Sequence, residues 1–324
     1  MLTYNKGMMV RSQNKIGLFA NYMVKLIEED KRICYIACDT IMEKSNMLKA
    51  MKKYPNRIID VGIAEPNAVD IAVGLALSGK VPYIATVSSF IALKTLEQIH
   101  TNIAYCDVPV RLVATNSGTM AGPTHDAICD IGILNSIPNL NIIVPSCSNH
   151  LIKAISQTID YPKPMFYKMP QYQNEEIYKH YEDDTFEIGK SMRVLDGDDV
   201  SIIGIGAGVT YAFNAAQILN KDYIKVRIID MISFKPIDRK AIIKAAKETG
   251  FIITVEDQNI QNGLGAAVSS VLVEERLNCK VIKLGIQDEF LKYSDRYSKY
   301  YKYSGEDIAK IIQDELMKAG GRMN

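Results

Sequence analysis

Short apolar runs alternate with segments of helical spacing along most of this chain, and that alternation narrows the fold more than any single motif does. Arg32 to Asp39 (RICYIACD) is apolar at nearly every position, as expected of a parallel strand covered on both faces. Ahead of it Leu18, Phe19, Tyr22, Met23, Val24, Leu26 and Ile27 recur at helical spacing. After it come Met47 to Lys53, Ile58 to Ile63, Pro66 to Leu77, Val81 to Val87, Leu93 to Ala104 and Val110 to Thr115, alternately helix and strand. The pattern predicts open α/β sheets, in which ligands sit at the carboxyl ends of strands. At 324 residues the chain exceeds a usual single domain and predicts two α/β units, each long enough to bury a core. Pro162, Pro164, Pro170 and the polar run QYQNEEIYKHYEDD mark the expected boundary, dividing the chain into 8–172, a linker at 173–188, and 189–324.

Charge excludes several partners. With 38 basic and 37 acidic residues, the net charge of +1 gives no electrostatic case for nucleic acid or an anionic membrane. The tyrosine- and lysine-rich tail SDRYSKYYKYSGED has the look of a nucleic-acid segment, but the balanced charge favours an ordinary amphipathic surface. Six cysteines, Cys34, Cys38, Cys106, Cys129, Cys147 and Cys279, lack metal-ligand spacing and read as reduced thiols of a cytoplasmic protein. No apolar run approaches the roughly 18 residues that span a bilayer, and no signal-peptide core is visible at the N-terminus.

The stretch Asp60 to Gly79, DVGIAEPNAVDIAVGLALSG, sets Glu65 between an apolar entry (Ile58, Ile59, Val61, Ile63) and a small-residue helix (Ala68, Ala72, Gly74, Ala76). Glu65 either caps that helix or presents a carboxyl group, shielded from water, that can hold or share a proton. Phe90 follows the end of the Val81 to Val87 strand, where an aromatic ring serves the core or faces a ligand. In the loop NSGTMAGPTHDAICD, Gly118, Gly122 and Pro123 interrupt regular structure before His125, which is a solvated bystander or a proton-handling group. Gly204-Ile-Gly206-Ala-Gly208 follows a strand. It is only part of a dinucleotide fingerprint, which wants a further glycine three residues after the second, and it reads better as a tight strand-to-helix turn.

Taken in order, GIAE-x-N at Gly62 to Asn67, Gly-Lys-x-Pro at Gly79 to Pro82, Phe90, EQI at Glu97 to Ile99 and GPTH at Gly122 to His125 resemble the pyrimidine-binding domain of transketolases. SFKPID at Ser233 to Asp238, EDQN at Glu256 to Asn259 and NGLGAAV at Asn262 to Val268 resemble the transketolase C-terminal domain, so the resemblance covers nearly the whole chain. It implies a thiamine diphosphate and Mg2+ enzyme that moves a two-carbon ketol unit from a ketose donor to an aldose acceptor. By the same resemblance Glu65 holds the aminopyrimidine ring, Phe90 stacks on it, Ile63 and Val87 line the cofactor site, and His125 contacts sugar oxygens and handles protons, with Glu65 and His125 as the catalytic pair. Substrate contacts fall on Lys15 (or Arg11), Asn116, Asp126 and Gln171.

Departures from the family pattern carry their own expectations. Its GDG metal motif is missing, since Gly197-Asp198-Asp199 sits in the wrong domain and reads as a turn. The chain also begins where the pyrimidine domain begins. The expectation is therefore the C-terminal subunit of a split transketolase, without metal ligands of its own and silent alone, joined by an N-terminal GDG-bearing subunit in a two-fold heterotetramer. Ala121 replaces an aspartate, Asp126 a glutamine, Asn116 a histidine and Gln171 an arginine. Losing cations that grip phosphate predicts a modified or non-phosphorylated sugar. Rival readings are the β subunit of a 2-oxo acid dehydrogenase, a deoxyxylulose phosphate synthase fragment, and a non-catalytic assembly subunit.

Overall fold

The computed structural model describes residues 15–41, 46–115, 122, 124–169, 175–178, 186–291, 301–318 and 320. They fall into two compact units that divide at Gln173/Asn174.

In the first unit the elements are α1 (Lys15–Glu29), β1 (Ile33–Ala37), α2 (Asn46–Lys53), β2 (Ile58–Asp60), α3 (Glu65–Leu77), β3 (Val81–Val87), α4 (Ser88–Lys94) and α5 (Leu96–Gln98). A π-helical stretch, Ile99–Tyr105, then leads to β4 (Arg111–Thr115), α6 (Asp130–Asn135), β5 (Asn141–Ile143), α7 (Ser148–Gln157) and β6 (Met165–Lys168). The strands lie in the order β5-β6-β4-β3-β1-β2, all parallel. All five residues of β1 are buried, as its uniformly apolar run requires. The chain goes from β1 out to β2 and returns to place β3 on the other side of β1, so the strand order reverses there and leaves a crevice at the carboxyl ends.

Two segments differ from the sequence expectation. The strand expected over Ile58 to Ile63 stops at Asp60, because the Asp60 carboxylate accepts from the amides of Asp39 (2.9 Å) and Gly62 (3.0 Å). The chain turns at Gly62, in the left-handed region at φ +70°, and Ile63 is left 75 % exposed. The helix expected over Leu93 to Ala104 starts earlier, at Ser88, and breaks at Thr95, whose hydroxyl donates back to the Ile91 carbonyl at 2.7 Å.

The second unit contains β7 (Met192–Leu195), β8 (Val200–Gly204), α8 (Ala207–Leu219), β9 (Val226–Asp230), the short β10 (Ser233–Lys235), α9 (Arg239–Thr249), β11 (Phe251–Asn259), α10 (Leu264–Glu274), β12 (Lys280–Ile286) and α11 (Gly305–Lys318). Its five-stranded sheet runs β12-β11-β8-β9-β7, parallel except for β7 against β9. Gly206, at φ +55°, makes the strand-to-helix turn, and a Cβ on Gly208 would lie 2.0 Å from the Val255 carbonyl oxygen. The close approach of α8 to β11 is thus what the glycines serve. Fully buried Glu256 accepts from the amides of Leu264 (2.6 Å) and Gly265 (2.8 Å), capping α10. Of the tyrosine-rich tail, residues 292–300 lie outside the described residues. Tyr301 and Tyr303 are buried, and Tyr303 meets Tyr211 of α8 edge-on at 5.5 Å, so this part of the tail is core.

Candidate active site

Glu65 opens α3 just after the Gly62 turn, with Pro66 in the first turn where its missing N–H loses nothing. It is only 3 % exposed. Its carboxylate faces a cation: both oxygens lie 3.4 Å from Nζ of Lys94. The same ammonium sits 4.0 Å from the centre of the Phe90 ring, one helical turn back on α4. Phe90 in turn lies 5.0 Å from the imidazole of His125, centre to centre, at 59°. A continuous row of contacts therefore joins Glu65, Lys94, Phe90 and His125.

His125 is half-buried in a turn in which its own amide (2.9 Å) and that of Asp126 (2.8 Å) donate to the Gly122 carbonyl, with Gly122 at φ +89°. Its Nδ1 meets the Thr124 hydroxyl at 2.8 Å, which orients the ring and leaves Nε2 as the other nitrogen able to take or give a proton. Cys38, just beyond the end of β1, is 5 % exposed. Burial first, and then the Glu65 charge, push its thiol up to about 12, so it is no nucleophile at neutral pH.

Of the residues expected from sequence, Glu65, Phe90 and His125 come together. Val87 is buried at the N-cap of α4, directly before the helix that carries Phe90. Ile63 lies two residues from Glu65 on the exposed turn. Asp126 is half-buried beside His125. Lys15 opens α1, but its side chain is outside the described residues, as are Arg11, Asn116, Ala121 and Gln171. Lys94 was not expected from sequence. Its spacing of four from Phe90 is the signal that pairs them on one helix face. Among the described residues, no three or more His, Cys, Asp or Glu side chains gather closely enough to hold a metal ion.

The carboxylate opens α3, the ring stands on α4 and the imidazole lies in the turn at Gly122, each following a strand of the parallel sheet. Residues 14–172 match the family model "Transketolase, pyrimidine binding domain", and residues 189–308 match "Transketolase, C-terminal domain". The chain belongs to the transketolase family. It is 38 % identical over 272 residues to a Methanocaldococcus jannaschii protein named for a transketolase C-terminal section, covering 82 % of this chain and 85 % of that one. It is 33 % identical over 305 residues to one subunit of the apulose-4-phosphate transketolase of Phocaeicola vulgatus, covering 93 % and 96 %. A solved structure described as a split gene transketolase, inactive β4 tetramer, superposes with a TM-score of 0.84 at 29 % identity over 94 % of this chain and 98 % of that one. Against the 1-deoxy-D-xylulose-5-phosphate synthase of Syntrophotalea carbinolica the identity is 30 % over 302 residues, but this chain spans only 47 % of that protein.

Proposed function

We propose that this chain is the C-terminal subunit of a split, thiamine diphosphate-dependent transketolase, which transfers a two-carbon ketol unit from a ketose to an aldose together with a separate N-terminal subunit. The observation that carries the reading is the Glu65–Lys94–Phe90 arrangement. A buried carboxylate there meets an N–H donor that also rests on an aromatic face. The ammonium lies between the buried carboxylate and the aromatic face, where a flat ring hydrogen-bonded at its edge and stacked on its face would sit. The residues fit the group: Glu65 would hold a pyrimidine ring nitrogen and Phe90 the ring face, with Val87 and Ile63 beside them.

When bound, thiamine diphosphate supplies the carbon nucleophile that accepts and releases the two-carbon unit. Glu65, in a position that water scarcely reaches, would hold the pyrimidine nitrogen through a hydrogen bond from its carboxyl group. His125, held through Nδ1 by Thr124, presents Nε2 to the sugar hydroxyls and takes or returns their proton. Mg2+ and the diphosphate belong, in this reading, to the GDG-bearing partner, and two copies of each chain form a cytoplasmic heterotetramer. The P. vulgatus relative, named as one lettered subunit of its transketolase, and the inactive β4 tetramer of the solved relative both support the need for a second subunit. Among the described residues no helix is long and apolar enough to cross a membrane.

Lys15, Asn116, Asp126 and Gln171 supply one cation at the expected sugar contacts, which supports a modified or non-phosphorylated sugar. The decisive experiment is calorimetry with thiamine diphosphate and Mg2+, on the chain alone and mixed with a GDG-bearing subunit. Tight binding only in the mixture is expected, followed by turnover of an unphosphorylated ketose at least as fast as its phosphate. No binding in either sample refutes the reading in favour of an assembly subunit.

A further inference from the structure

We propose that Asp130 and Lys168 form a positioning pair that holds His125 against Phe90; the proposal rests on the active-site reading above for its functional meaning. Both side chains are almost fully buried, Asp130 at 1 % and Lys168 at 3 % exposure. Lys168, the last residue of β6, donates to the Asp130 carboxylate at 3.1 Å and to the Ala127 carbonyl at 3.2 Å. The other Asp130 oxygen accepts from the hydroxyl of Ser88, the first residue of α4, while the first also accepts from the Ile131 amide at 2.8 Å. A lighter tie runs alongside, from the Ser89 hydroxyl to the Thr124 carbonyl at 3.4 Å.

The geometry is that of a clamp. Ala127 lies two residues after His125, and Ser88 lies two residues before Phe90. One buried carboxylate and one buried ammonium thus fasten the histidine turn and the phenylalanine helix to the same strand end. Stability alone does not explain the pair, because two buried charges gain little or nothing over apolar side chains of the same volume. What an apolar pair lacks is direction: it fills space without fixing where Ala127 and Ser88 sit. A displacement of about 1 Å at a reacting group lowers turnover by roughly 100-fold, so direction is what the site needs.

The test reads position directly, on the full chain without cofactor. With 4 histidines in the chain, the His125 imidazole resonances are assigned by their loss in His125→Gln, and the ring-current contribution of Phe90 by their shift in Phe90→Leu. The double variant Lys168→Met/Asp130→Leu is expected to keep its circular dichroism and melting temperature, while its His125 resonances move most of the way to the Phe90→Leu value. Lys168→Arg, which keeps the charge and the donors, is expected to hold the native shift. A folded double variant with native His125 resonances overturns the proposal. So does a double variant that fails to fold, because the pair would then be structural. If thiamine diphosphate binding proves insensitive to Glu65→Ala and Phe90→Ala while the His125 resonances move as expected, the cofactor reading fails and the clamp stands.

Discussion

Lys94 makes the most discriminating perturbation of the site. Its Nζ lies 3.4 Å from both Glu65 oxygens and 4.0 Å from the Phe90 ring centre, in the space a ring held by Glu65 and stacked on Phe90 must enter. Glu65 accepts a hydrogen bond in that pairing, whereas the proposed chemistry needs it to donate one, so the pair must open when cofactor binds. Bare attraction at this distance is about 5 kcal/mol at an effective dielectric constant near 20. Lys94 is, however, 43 % exposed against 4 % for the Glu65 side chain, and solvent screening leaves about 1 kcal/mol for such a pair. The contact with the Phe90 face adds about 0.5 kcal/mol. Opening both costs about 1.5 kcal/mol, a factor of roughly ten in affinity. Lys94→Met keeps an unbranched side chain of similar length but removes charge and donors. Calorimetry with thiamine diphosphate and Mg2+ on the two-subunit enzyme should therefore show roughly tenfold tighter binding for Lys94→Met and near-native binding for Lys94→Arg. Equal or weaker binding by Lys94→Met refutes the argument and makes Lys94 a contributor to cofactor affinity.

Glu65→Ala should lower turnover at saturating cofactor by about 100-fold or more, the range of a lost proton-handling group, with a melting temperature that stays close to native. Steady-state kinetics and a thermal melt check both halves. His125→Ala should lower kcat by a similar factor and leave thiamine diphosphate affinity native, separating sugar-side from cofactor-side roles. Glu256 provides a stability test in the other unit: burial pushes its carboxyl up to about 8 from 4.5, against the pull of the Gly265 and Leu264 amides. The folded form then holds a proton that the unfolded chain has released, so this group's contribution to stability is full below pH 4.5 and is lost as the pH rises towards 8. The slope is up to about 1.4 kcal/mol per pH unit, and denaturant unfolding of Glu256→Gln across that window should be flatter than native by that amount.

What the sequence reveals and conceals here follows from the range of each interaction. The sheet of the first unit is readable because a strand such as Ile33–Ala37, buried on both faces, must be apolar throughout. The position of Glu65 is readable for the same reason, since an acidic residue between an apolar entry and a small-residue helix stands out from its surroundings. Boundaries governed by side chains reaching back to the backbone are not readable: neither the Asp60 bonds that end β2 nor the Thr95 bond that breaks the helix after α4 has a periodic signature. The start of α4 at Ser88, ahead of the expected helix from Leu93, conceals Lys94, because only that earlier start puts Phe90 and Lys94 on one helix. Asp130 and Lys168 are harder still. They are 38 residues apart, and their types argue for solvent unless each is known to be the other's partner. In the tail, lysines and tyrosines suggest surface, yet Tyr303 packs on Tyr211, a contact between residues far apart in sequence. The site divides along the same line. Its uncharged frame and its one conspicuous carboxylate are local properties of the chain, while the two lysines that set its charge depend on pairings that only the folded chain creates.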